Sequence, residues 1–298
     1  MTKSGASRNV LILHFTVLIW GFTGVLGELI SVSALHLVWY RVLIAAISLF
    51  IYLLWCKQPL KVSRSQLLQF LGVGFIVGLH WVLFFHSIKI STVSVTLVSL
   101  SSVTLFTAVL EPLINRKRME VSDVLIGLLI IFGIYLIFKF EFQYFWGIVF
   151  GLLAAICASF FGIFNARMVK TADAKIISFY EMVGAVIGVS ILLGVSGGFD
   201  AQMLLHQSDV IYLLVLGIVC TAVAYVLAVS VMREVSAFTV ALATNLEPVY
   251  GIMLALLLFG QKEAMSTGFY AGAVLVLMAV FMYPYLKNRW IGRRLSVR

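Results

Sequence analysis

Near the middle of a long apolar run in this 298-residue chain stand a glutamate and a proline, Glu247 and Pro248. An unpaired ionisable group in hydrocarbon costs at least about 2.5 kcal/mol, so a carboxyl in such a run needs a partner or a watery cavity. Glu247 is the eleventh residue of the run that begins at Ala237. At about 1.5 Å per residue it lies roughly 15 Å along the helix, close to the midplane of a bilayer. Pro248 removes a backbone donor, which leaves the Thr244 carbonyl without its usual partner and predicts a kink. A carboxyl beside a broken helix can bind an ammonium group or carry a proton, and Asn245 stands ready to hydrogen-bond a substrate. The alternative role for Glu247 is to anchor a neighbouring helix through a protonated hydrogen bond.

A second group is aromatic. His80 and Trp81 are followed by Phe84, Phe85 and His86, and Tyr225 stands 145 residues beyond His80. Such side chains suit an apolar cavity with a few hydrogen-bonding groups, and ordinary helix packing is the competing use for them. Histidine titrates near neutrality, which makes His80, like Glu247, a candidate proton site. Trp20 and Asn165 occupy repeat-equivalent positions near glycines that permit close backbone approach, and both are candidates for the same cavity. Four charges within apolar runs suggest gates: Glu28 paired with Arg41 at one end, and Arg167 with Glu181 at the other. Permanent pairing, or snorkelling of the long side chains to water, would place the same charges there.

These residues need a lipid-embedded scaffold. The chain is 62% hydrophobic and 11% charged, with a mean hydropathy of +1.11, against about 25% charged residues in ordinary soluble domains. Its apolar runs approach the ~20 residues a helix needs to cross a bilayer, and they lack the strict alternation of a membrane barrel. The runs predict helices over Asn9–Ile30, Ala34–Trp55, Leu67–Ser87, Thr92–Ile114, Val121–Phe138, Tyr144–Val169, Ile176–Val195, Val210–Met232, Ala237–Phe259 and Thr267–Leu286. The expected fold is therefore an all-α membrane protein of ten transmembrane helices.

Of the 21 Lys and Arg residues, all but Arg41, Lys89, Lys139 and Lys262 fall on one side of that arrangement. By the positive-inside rule this side is cytoplasmic and holds both termini, as in a bacterial-type inner membrane. The net charge of +9 is distributed between runs, not gathered on a patch, which argues against a nucleic-acid partner. The first run continues past 20 residues without a cleavage site and reads as a retained helix. Cys56, Cys157 and Cys220 lack metal-type spacing and are expected to be free buried thiols. Neither a metal site nor a cofactor is expected.

The halves resemble one another. Ser91, Ser94, Val95, Leu97, Gly127 and Ile131 match Ser236, Thr239, Val240, Leu242, Gly272 and Val276 at a constant offset of 145, and Ala34–Arg41 lies over Ala174–Glu181 at an offset of 140. Five crossings separate equivalent helices, so the repeats, 1–138 and 139–298, are inverted. Inverted repeats are a recurring plan of secondary transporters, because each packing arrangement has a mirror-related counterpart open to the other side.

The segment Tyr225–Gln261, with Leu246, Glu247, Pro248 and Gly260, resembles the EamA family of the drug/metabolite transporter superfamily, as do Trp20–Gly24 and Arg41 after Tyr40. The chain departs from the family pattern at Gln261, where many relatives carry Glu, and at Ser101–Val103, which lack the proline of the second half. The resemblance implies a multi-pass transporter of small solutes, often an exporter of amino acids or related metabolites, with the substrate held between the repeats. No G-x-x-x-x-G-K motif or soluble domain offers another energy source, so proton-linked export is the leading expectation. A facilitative exchanger is the alternative, and an intramembrane enzyme a more distant one, since H-E-x-x-H and G-x-S-x-G are both absent. The expected partners are a small-molecule substrate, the lipid bilayer and protons.

Overall fold

A computed structural model of the chain describes residues 3–116 and 121–295. Lys117, Arg118 and Arg298, counted in the charge bias, lie outside the described residues. No strand occurs among the residues described.

The first half consists of α1 (Lys3–Leu29), α2 (Ala34–Trp55), α3 (Arg64–Ile90), α4 (Val93–Leu100), α5 (Val103–Ile114) and α6 (Val121–Phe140). The second consists of α7 (Phe145–Met168), α8 (Ala174–Ser196), α9 (Gln207–Leu214), a π-helical stretch (Val215–Val223), α10 (Ala224–Val231), α11 (Ala237–Thr244), α12 (Glu247–Phe259) and α13 (Thr267–Leu295). Helices α4 and α5 form one interrupted rod, as do α9 to α10 and α11 to α12. Among the described residues, eight rods are long and apolar enough to cross a membrane, and two shorter apolar stretches, Ile126–Phe140 and Thr267–Ala279, accompany them.

Short polar residues start many of these helices. Ser33, Thr92, Asp173 and Ser236 each accept a backbone N–H of the first turn, and Ser63 with Gln66 forms a capping box. These contacts satisfy amides that have no intrahelical partner. Large apolar side chains remain on the outside, Leu257 at 80% exposure and Trp55 at 81%, as lipid-facing surface demands. Cys56 is exposed, Cys157 half-buried and Cys220 buried, and all three are free. Cys56 thus departs from the expected burial because it caps α2 at the edge of the apolar run.

The packing follows the repeat. When each rod is exchanged for its equivalent five places along the chain, the contact of α3 with α8 becomes that of α2 with α9 and the π segment. Likewise, α3 against α7 becomes α1 against α10, and α1 against α12 becomes α7 against α4 and α5. The α2–α8 and α6–α13 contacts map onto themselves.

The α3–α8 crossing is the tightest of these. A Cβ at Gly74 would overlap the backbone of Glu181, and one at Gly184 would overlap the backbone of Leu71. Small residues let the helix backbones meet where van der Waals packing holds a membrane bundle together. Replacing Gly184 with Leu should lower the melting temperature of the purified protein in detergent, by a free energy of about 1–3 kcal/mol. Gly72→Ala, at a position with open space around it, should leave the melting temperature unchanged or slightly raised.

Candidate functional site

Two of the three interrupted rods break at equivalent places, Ser101–Ser102 in one half and Asn245–Leu246 in the other. Pro248 sits in the first turn of α12, so the expected kink is a full helix break two to three residues earlier. The first-half break has no proline. There Ser99, Ser101 and Ser102 turn their hydroxyls back to the carbonyls of Val95, Leu97 and Ser99 at 2.8, 3.2 and 2.7 Å. Such back-bonding competes with the helical ladder and bends it.

Between the breaks lies a cavity enclosing about 790 Å³ of unfilled space, part of it open to solvent. Trp20, Trp81, Phe84, Phe161 and Tyr225 supply aromatic walls, and Arg41, His80 and Glu247 supply polar groups. The cavity continues past Ala241 and Val240 to Ala237 and Met232, at the end of the bundle where α10 finishes and α11 starts. That is also the end at which α1 starts.

The opposite end is closed by polar contacts between rods. Asp209 accepts from the Ser31 amide at 2.9 Å and from its hydroxyl at 2.6 Å. Lys89 donates to the Ile30 carbonyl at 2.6 Å, and Lys262 pairs with Glu28. Glu263 accepts from the amides of Val93 and Ser94 at 3.0 and 2.9 Å, at the start of α4.

Arg41 dominates the cavity wall. It is 1% exposed, and its Nε donates to Thr221 Oγ1 at 2.6 Å. Its guanidinium lies over the Trp81 ring, 4.1 Å from the centroid. Thr221 reaches back five residues to the Leu216 carbonyl at 2.6 Å, a contact that suits the π-helical register around it. Nη1 of Arg41 has no partner. Glu247 opens α12, is 7% exposed, faces the same cavity and interacts electrostatically with Arg41 without forming an ion pair.

His80 Nδ1 lies 2.8 Å from the Ala154 carbonyl, which makes it the donor and leaves Nε2 on the other side of the ring. Tyr225 stands 6.0 Å from Trp81, centroid to centroid. Trp20, His80, Trp81, Tyr225 and Glu247 are thus brought together at one cavity, with Arg41 added to them.

Asn165 and Asn245 are not on its wall. Asn245 Nδ2 donates to Thr104 Oγ1 at 2.6 Å and to the Ala241 carbonyl at 2.8 Å, and so fastens the second-half break to α5. Asn165 lies behind Tyr225, donating to its hydroxyl at 3.0 Å and to Glu181 at 3.3 Å.

Neither expected ion pair is present. Glu28 is taken by Lys262, and Arg41 by Thr221 and Trp81. Arg167 spans to α5, where Asn115 Oδ1 and the Ile114 carbonyl accept from it at 2.9 and 2.8 Å, while Glu181 turns to Asn165. The carbonyls at a helix C-terminus are unsatisfied and partly negative, which makes them competent acceptors for Arg167.

An apolar helical bundle with an aromatic-walled cavity that carries a few polar groups between two repeated halves is the architecture of a multi-pass membrane transporter. The chain belongs to the EamA-like transporter family, which it matches over residues 8–139 and 145–283. Members of that family are transporters, not enzymes. A solved protein crystal structure shares the fold with a TM-score of 0.70 at 14% identity, over 94% of this chain and 98% of the other. No curated protein matches the chain in sequence.

A buried guanidinium with one unused donor is held at a cost, since taking a charge out of water is repaid only where its donors are fully paired. Arg41→Met should therefore melt at or above the temperature of the unmodified protein in detergent. A large fall in melting temperature would show that Arg41 serves packing.

Proposed function

We propose that the chain crosses the membrane ten times in two inverted five-helix repeats, 1–138 and 139–298, and moves small zwitterionic metabolites, amino acids or related solutes, by alternating access. The basic residues favour both termini on the cytoplasmic side of a bacterial-type inner membrane. Export linked to a proton gradient is the direction and energy source this reading adopts. On it, the cavity described above faces the cytoplasm and the layer from Asp209 to Glu263 closes the far side.

The reading rests on one observation: Arg41 and Glu247 meet the same cavity in the apolar core without neutralising one another. A solute bearing a carboxylate and an ammonium group satisfies both at once, the carboxylate at the unused Nη1 of Arg41 and the ammonium at Glu247. Guanidinium is the better of the two basic groups for this task, being planar and less strongly hydrated than an ammonium. Trp20, Trp81, Phe161 and Tyr225 leave apolar room for a side chain. His80 contributes Nε2 as a further hydrogen-bonding group.

The test is uptake into inside-out vesicles across a panel of amino acids, amines and sugars, with and without a pH gradient. Neutral amino acids with apolar side chains should be moved and sugars should not. Glu247→Gln should abolish that uptake while the protein is still made and folded, and Arg41→Met should do the same. Uptake in Glu247→Gln at the normal rate would remove the ammonium site. Exchange that proceeds equally well without a pH gradient would make the protein a facilitative exchanger.

A further inference from the structure

The cavity accounts for Arg41 and Glu247, yet a second carboxyl lies buried behind its wall. Glu181 on α8 is fully buried, and its Oε1 has no partner. Two more oxygens near it are equally bare: Oδ1 of Asn165, whose amide nitrogen bonds the other Glu181 oxygen, and Oγ of Ser178, one helical turn before Glu181 on the same helix. Both of those residues are fully buried as well. Uncompensated polar atoms in so apolar a setting are costly, and two bare acceptor oxygens, Glu181 Oε1 and Asn165 Oδ1, have the Ser178 hydroxyl as the one nearby unpaired donor among them.

We infer that Glu181 is the site at which the transporter loads and releases its coupling proton, and that Tyr225 connects it to the cavity. The inference rests on the proton-linked reading above, but it moves the proton from Glu247 and His80 to a carboxyl outside the substrate's reach. The Tyr225 ring lines the cavity, and its hydroxyl accepts from Asn165 Nδ2 at 3.0 Å. The same amide nitrogen donates to the Glu181 carboxyl at 3.3 Å, so Asn165 bridges the phenol oxygen and the carboxyl. Because Asn165 donates to the phenol oxygen, the phenol hydrogen is free to point at the carboxylate.

Loading then needs two concerted transfers. The phenol hydrogen passes to the Glu181 carboxylate as the phenol oxygen takes a proton from a hydronium ion in the cavity, which is left as water. Tyr225 ends neutral, the carboxyl ends protonated, and one proton has left the cavity. The new O–H neutralises the carboxylate and adds a donor beside the bare oxygens of Glu181 and Asn165.

The surroundings leave Glu181 without a competing charge. The α3 backbone crosses it at Gly74. The titratable groups of α3 are Arg64, His86 and Lys89 near its ends, and His80, which bonds Ala154. Those of α2 are engaged elsewhere: His36 with Gly198, Tyr40 with Met203, Arg41 with Thr221, and Tyr52 under Lys175. From α10 the facing group is Tyr225, and from α7 it is Asn165. No ion pair to Glu181 occurs among the described residues.

Infrared spectroscopy of the purified full-length protein in lipid vesicles tests this without a substrate. The carbonyl stretch of a protonated carboxyl shifts in deuterium oxide and fades as pH is raised. One such band should be missing from Glu181→Gln and retained in Glu247→Gln. Tyr225→Phe, which keeps the ring, should keep the band but slow its exchange with deuterium by at least about 100-fold, the lower end for a positioned proton-transfer group.

A set of titrating bands unchanged by Glu181→Gln, or proton-driven uptake at the normal rate in that variant, would overturn the assignment. A band removed at fixed pH by sodium chloride would overturn it too, in favour of a metal cation at the same oxygens. If no solute on the panel is moved yet the band depends on Glu181 and Tyr225, the proton site stands and the substrate reading falls. If amino acids are moved but the band survives Glu181→Gln, the reverse holds.

Discussion

Hydrocarbon offers no hydrogen bonds, and that constraint fixes where this chain can depart from regular helix. Each departure is found where other groups of the protein take over the freed backbone or where it borders the cavity. At the first break Ser99, Ser101 and Ser102 satisfy carbonyls with their own hydroxyls. At the second, Asn245 does so while gripping Thr104 of the other half. The π-helical stretch is handled similarly, with Thr221 covering the Leu216 carbonyl and in turn accepting from Arg41. The irregular backbone and the buried charge are thus one construction: the wider π turn presents the hydroxyl that holds the guanidinium.

The same constraint made most of the scaffold legible in the sequence. Continuous apolar runs bounded by capping residues gave helix positions close to those observed, because in lipid the run length and the helix length answer to the same bilayer thickness. Glu247, Trp81 and Tyr225 could be assigned to a cavity because their polarity is out of place in such runs. What the sequence did not carry was direction around the helix. Asn165 and Asn245 are as polar as the cavity residues, yet they point between helices, and only packing decides that. Thr221 was invisible as a partner for Arg41 because a π turn shifts the register by one residue, and nothing in Val215–Val223 spells that turn.

The absent ion pairs carry a related lesson. Opposite charges at repeat-equivalent positions, Arg41 and Glu181, suggested partners within each half for both. A charge in an apolar interior needs compensation, but a countercharge is only one form of it. The Trp81 face and the Thr221 hydroxyl serve Arg41, while helix-terminal carbonyls and an amide serve Arg167. Each of these donors or acceptors is neutral, and no charge-based reading of the sequence could distinguish it from the apolar background.

The two ends of the bundle differ although the sequence repeats. At the closed end Thr92 and Ser94 start α4 and are buried, with the Glu263 carboxylate bonded to the first amides. At the start of α11, beside the cavity mouth, the cap Ser236 and the first-turn Thr239, which is the equivalent of Ser94, are exposed and bond one another. Equivalent helix starts therefore have unequal surroundings, one sealed against the other repeat and one facing water. A helix N-terminus carries partial positive charge and unsatisfied donors, so a carboxylate docked there is stabilising. A bundle that exchanges its open and closed ends has one such terminus docked and one solvated in each state. On the alternating-access reading, sealing the α11 start while freeing the α4 start from Glu263 is the transition that carries the cavity from one face of the membrane to the other.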